Sequence, residues 1–170
     1  MQTALEHYKE INTLDLALLH NIREWLHALP DKGHPCDSGA HLWSCHSLCR
    51  AAKDRFKLVN WSVIDGWFGR PAFDHTWLTR AVYRGDHYQG EVILDVYPVA
   101  SAGGPLLLFS GTWNTPWTEM YGKSVPGRYE SRLAEFKRDA DAILACRGRD
   151  EFNQMSTGFA DNPVIDGLGT

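Results

Sequence analysis

The sequence predicts an α+β domain in which an antiparallel β-sheet of about four or more strands packs against helices. Three observations carry that expectation. Leu14, Leu18, Ile22, Trp25 and Leu29 recur at helical spacing near one end of the chain. Tyr129, Leu133, Phe136, Ala140, Ile143 and Leu144 do the same near the other. Between them, residues 57–111 are rich in β-branched and aromatic side chains and punctuated by turn residues. The order helix, helix, strands, helix keeps the two kinds of element apart, as in α+β folds.

The first helix is expected over 13–29, with Thr13 as N-cap and Pro30 just past its end. A polar segment containing glycine and proline leads into a second helix within 39–55. Two starts fit the sequence. With Ser44 as N-cap, Cys45 is the first helical residue; with Ser38, Cys45 sits mid-helix. "KLVNWSVI" (57–64), "HTWLTRAVY" (75–83), "GEVILDVYP" (90–98) and "PLLLFSG" (105–111) read as strands. Gly66 and "GRPA" read as turn chemistry, "RGDHYQG" as a hairpin turn and "VASAGG" as a loop. The segment 111–129 reads as a long loop bearing Trp113, Trp117 and Tyr121, either walling a groove or finishing the core. A third helix spans 129–146 with Gly148 as its C-terminal cap. The whole reads as one domain over 1–170: the N-terminal helix 13–29, a core of about 38–146, and a tail over 147–170.

Composition narrows the function classes. A formal charge of −4 argues against general nucleic-acid binding, which calls for a basic face. The longest apolar run, "PLLLF" at 105–109, suits a strand and is far short of the roughly 20 residues that span a bilayer. "MQTALEHYKEINTLD" lacks the basic-then-apolar layout of a signal peptide, so a cytoplasmic location with reduced thiols is expected for Cys36, Cys45, Cys49 and Cys146.

The chemistry concentrates in three places. Asp95 is flanked by Ile93, Leu94, Val96 and Tyr97, and a carboxylate buried in a sheet needs a partner. A hairpin centred on Gly85 pairs residues whose numbers sum to 170, which sets His75 directly across from Asp95 and Trp77 across from Ile93. An imidazole can take the proton of a thiol, leaving a thiolate–imidazolium pair, while a carboxylate fixes the tautomer of the ring. A thiol at a helix N-terminus gains from the dipole, which favours an anion. Cys45 is the thiol with that opportunity; Cys49, one turn later, reads as a core residue.

In their order and settings, "CHSL" at Cys45, "DHTWL" at His75 and "ILDVYP" at Asp95 resemble the transglutaminase-like and papain-like cysteine hydrolases. The resemblance covers roughly residues 38–110. It implies a papain-like/transglutaminase-like core in which Cys45 is the nucleophile, His75 the base and Asp95 the orienting acid. The implied activity is that of a peptidase, deamidase or transglutaminase acting on a protein or peptide substrate through a thioester, without cofactor, metal or membrane. Small domains of this kind often serve as bacterial or viral effectors or toxins. Trp43, His46, Trp67, Trp77 and Trp113 are candidates for the oxyanion site or substrate groove. The sequence departs from the family pattern in having no glycine adjacent to the cysteine, Gly39 being the nearest, and no upstream glutamine that matches the papain-type oxyanion donor.

Two other readings stand beside this one. His34, Cys36, His41, Cys45, His46 and Cys49 are dense in metal-ligand types, but the C-x8-C-x3-C spacing matches no common zinc module. A non-catalytic module with the same fold, binding a protein or small ligand through an aromatic groove, is the alternative function.

Overall fold

The computed structural model describes residues 11–29, 44–97, 105–111 and 118–146. Helix α1 (Thr13–Ala28) is followed by α2 (Cys45–Arg55), then β1 (Ser62–Phe68), β2 (Phe73–Arg84), β3 (His87–Asp95), β4 (Leu106–Gly111), β5 (Tyr121–Lys123) and α3 (Leu133–Ala145). The five strands form one sheet in the order β4-β3-β2-β1-β5, and every neighbouring pair is antiparallel. The fold is therefore α+β, with a five-stranded sheet curled into a half-barrel and packed against three helices. No helix among the described residues is long and apolar enough to cross a membrane.

Local signals explain most of the elements. Asn12, rather than Thr13, caps α1: its side chain accepts from the Asp15 N–H at 2.9 Å, and the Asp15 carboxylate accepts from the Asn12 N–H at 3.0 Å. Asp15 also binds the Arg80 guanidinium on β2 at 2.7 Å, tying the start of α1 to the sheet. Leu14 is solvent-exposed, so the buried face of α1 runs through Ile22, Trp25 and Leu26. Helix α2 ends in a left-handed residue, Lys57, and the Leu58 N–H closes onto the Lys53 carbonyl at 2.9 Å.

That cap corrects the expected strand over 57–64. The helix ends at Arg55, residues 57–60 form the turn that follows it, and β1 starts at Ser62 and runs on through Gly66. Gly66 is not a turn residue: a Cβ there would lie 2.1 Å from the Gly122 carbonyl oxygen and 2.7 Å from the Trp77 ring. The turn comes at Gly69, where φ is +88°. The third helix begins at Leu133 after a 3₁₀ turn over Glu130–Arg132. The supposed loop 111–129 contributes a short 3₁₀ turn, Thr118–Met120, and the edge strand β5. Gly148, the "VASAGG" loop and the tail lie outside the described residues.

The helices cover one face of the sheet. Leu78 and Val82 of β2, Val92 and Leu94 of β3, and Val96 meet Ile22, Leu26, Leu48, Ala52, Ala140 and Ile143 in one core. Strand alternation sends Trp77 and Ile93 to the other face, where both are buried as well. The curl accounts for this. In a flat sheet β5 and β3 would stand about 14 Å apart, three strand spacings. Here Lys123 of β5 reaches Glu91 of β3 at 2.8 Å.

The β2–β3 hairpin differs from the expected register, and the difference decides what faces what. Arg84 pairs with His87 and Tyr83 with Tyr88, but Val82 pairs with Gly90, so Gln89 is an extra residue. From there inward Thr79, not Trp77, lies opposite Ile93, and Leu78 opposite Leu94. Without the bulge, His75 would be level with Val96 and Asp95 would turn to the other face. With it, His75 and Asp95 share a face, two residues out of step. Gly90 makes the bulge possible: its φ is +147°, and a Cβ would lie 2.3 Å from the Ser110 carbonyl oxygen. Gly90→Ala should therefore cost at least about 1–3 kcal/mol in a urea titration; an unchanged midpoint would contradict the bulge.

Candidate active site

Cys45 is the first residue of α2, with Ser44 at the N-cap in an extended conformation. The Ser44 side chain makes no cap hydrogen bond. The Leu48 N–H closes the first helical turn onto the Ser44 carbonyl at 2.9 Å. Cys45 is a half-buried free thiol, close enough to His75 to contribute to the hold on its ring proton.

His75 lies near the start of β2 and Asp95 at the end of β3. Their side chains meet with His75 Nε2 2.7 Å from Asp95 Oδ2. The contact is diagonal across the strand pair rather than directly opposite. Because Nε2 is committed to the carboxylate, Nδ1 is the ring nitrogen left for the thiol. Asp95 is 0% exposed. Its Oδ1 accepts from the Tyr97 N–H at 3.1 Å and its Oδ2 from the Tyr121 hydroxyl at 2.8 Å.

The imidazole is boxed in by rings. Trp77 stacks with it at 6.2 Å between centroids and 25° between planes, and Phe68, Tyr97 and Tyr121 stand at 5.7, 6.2 and 6.2 Å. Burial works against a charged ring, but hydrogen bonds to Asp95 and Cys45, and their charges, outweigh it. The His75 proton is held up to about 9. This has a consequence for stability. A proton affinity raised above the ordinary value of about 6.5 stabilises the fold fully below that pH and is lost as pH rises through about 9. Urea unfolding should weaken by on the order of 3 kcal/mol between pH 6.5 and pH 9. A midpoint that stays flat across that window would disprove the coupling.

Cys49 belongs to the core, as its position one turn after Cys45 suggested. It is fully buried and donates to the Thr76 carbonyl at 3.1 Å. Burial, with the nearby Asp95 and Cys45 charges, pushes its thiol well up, which keeps it protonated and unreactive.

The groove candidates fare differently. His46 is turned away from the thiol. Its Nδ1 is 3.0 Å from Asp65 Oδ1 and also contacts the Thr76 hydroxyl, and its ring stacks flat on Phe136 at 4.2 Å. Asp65 is held in turn by a two-pronged contact with Arg50, at 3.1 and 2.7 Å. Burial raises its proton affinity, but the His46, Arg50 and Thr76 hydrogen bonds overcome this and keep it ionised. His46 is thus committed to fastening α2 onto β1 and β2. Trp67 follows Gly66, the cross-strand partner of His75, so alternation puts it on the opposite face, with its indole over Gly122. Trp77 is 1% exposed and lies against the imidazole rather than lining a groove. Trp43 and Trp113 lie outside the described residues.

Two features of the site were missed in the sequence. In the sequence Tyr121 reads only as a loop aromatic, and nothing sets Thr76 apart. The signal for Thr76 was its position beside His75: the pairs Cys45 with His75 and His46 with Thr76 are consecutive along both elements. Among the described residues no three His, Cys, Asp or Glu side chains are grouped to hold a metal ion. His34, Cys36 and His41 lie outside them. Compared with known proteins, the chain matches no family model, no curated protein and no solved structure.

Proposed function

We propose that the protein is a cysteine hydrolase or acyltransferase that acts on an amide bond of a protein or peptide, with a core of the papain-like or transglutaminase-like kind. The observation that carries the reading is the buried pair of His75 and Asp95, 2.7 Å apart, with Cys45 at the start of a helix and near enough to act on the imidazole. A structural histidine has no need of a half-buried thiol on one side and a fully buried carboxylate on the other.

The steps follow from that geometry. His75 Nδ1 takes the thiol proton, and Cys45 Sγ forms a bond to the carbonyl carbon. The oxyanion is received by backbone N–H groups in the first turn of α2, which carry no side-chain cap bond from Ser44. As the C–N bond breaks, His75 returns the proton to the leaving amine, and a thioester remains on Cys45. Water, deprotonated by His75, then attacks the thioester to give a carboxylic acid and the free thiol. An amine attacking in its place gives a new amide. Asp95 holds the ring through Nε2 throughout and stabilises its positive charge.

Glutamine-containing peptides, offered with and without a fluorescent alkylamine, test the reading. Peptide cleavage, ammonia release or amine incorporation is expected, together with an acyl adduct on Cys45 in the intact mass. If a broad peptide library yields none of the three products and no adduct, the reading is wrong.

A further inference from the structure

We propose that Tyr121 is a positioning residue that acts on His75 through Asp95, its hydroxyl sharing one carboxylate oxygen with the imidazole and so limiting how firmly that oxygen holds the ring proton. This rests on the Cys45–His75–Asp95 reading and goes beyond it.

The geometry is specific. Tyr121 donates its hydroxyl to Asp95 Oδ2 at 2.8 Å, and the same oxygen receives His75 Nε2 at 2.7 Å. The other oxygen, Oδ1, is occupied by the Tyr97 N–H at 3.1 Å. A carboxylate oxygen has two lone pairs, so Oδ2 has room for both donors, but its negative charge is divided between them. With Asp95 wholly buried, those donors take the place that water would otherwise fill.

The tyrosine ring is held for this task. It packs edge-on against Phe68 at 4.9 Å and against Trp77 at 5.1 Å, and Tyr121 is the cross-strand partner of Phe68 in the β1–β5 pairing. Burial and the Asp95 charge push its own ionisation far above the ordinary range, so it stays a donor at every pH where the protein works. A tyrosine serving only as packing would have no reason to aim its hydroxyl at the oxygen already bound by the histidine.

The test is an NMR titration of the His75 imidazole in the full-length protein, in three forms. Tyr121→Phe keeps the ring and removes the hydroxyl, which leaves more of the Oδ2 charge to His75. The His75 midpoint should then rise by about half a pH unit or more. Site-specific 3-fluorotyrosine in place of Tyr121 makes a stronger donor and should lower the midpoint. That second form retains every polar contact, so it remains informative even if the phenylalanine variant fails to fold. Midpoints that do not move, or that move the same way in both variants, overturn the role of Tyr121. The underlying triad reading fails separately: it is overturned if His75 in the unaltered protein titrates near 6.5 and Cys45 is alkylated no faster than a small-molecule thiol.

Discussion

Iodoacetamide at pH 6 should alkylate Cys45 and leave Cys49 unmodified. At that pH an ordinary thiol, with a pKa of about 8.5, is only about 0.3% thiolate. In the proposed mechanism the thiol passes its proton to His75, which would raise the reactive form by up to about 300-fold. Thiolates stabilised in this way are weaker nucleophiles, and the Brønsted dependence returns part of the advantage. The net expectation is that His75→Ala slows Cys45 alkylation at pH 6 by roughly tenfold to a hundredfold. Cys45→Ala should abolish the label at this pH. Cys49 is fully buried, so it should react only when the protein unfolds. Labelling that falls on Cys49 while Cys45 stays inert would overturn the assignment of the nucleophile.

Asp95→Ala should be among the most destabilising single changes available to the chain. It removes an acceptor with no solvent exposure and strands three donors, the His75 ring, the Tyr121 hydroxyl and the Tyr97 N–H. Breaking a buried charged pair from one side costs about 3–5 kcal/mol, a large part of the 5–15 kcal/mol that holds a domain folded. Asp95→Asn keeps one oxygen acceptor and should cost clearly less. Urea unfolding of the two variants beside the unaltered protein decides the matter. A loss below about 1 kcal/mol for the alanine variant would mean that the carboxylate is not the paired, buried group described above.

How much of this was legible in the sequence depends on the range of the interaction that decides it. Periodicity found α1 and α3, because Ile22, Phe136 and Ile143 repeat at the spacing that buries them. Strand-forming side chains between turn residues marked four of the five strands. The fifth was hidden: Tyr121, Gly122 and Lys123 are too few to show alternation, and their pairing with β1 is set by tertiary packing. The candidate triad was legible from residue types in order, and Ser44 as N-cap is one of the two starts the sequence allows for α2. The hairpin register was not legible. A count about Gly85 brought His75 and Asp95 to one face, but by a pairing two residues away from the one adopted. Face is preserved under even errors, and Gln89 supplies the odd residue that keeps the true offset even. Bulges carry little sequence signal beyond a glycine, and here Gly90 was that glycine. Trp67 and Trp113 are groove candidates for their aromatic character, which does not say which side of a strand a ring takes. Trp67 shows the result.

The bond between Tyr121 and Asp95 joins the centre of the molecule to its least anchored strand. β5 has three paired residues and one neighbour, whereas the carboxylate it touches stands on β3, between two long partners. Strands so lightly held open locally long before a domain unfolds. Each such opening would take the hydroxyl away from Asp95 while His75 and the helical core stayed folded. On the proposed role of Tyr121, the geometry of the site follows the local stability of β5, a smaller quantity than the stability of the whole fold. Heat or denaturant should reach the chemistry first and the architecture afterwards.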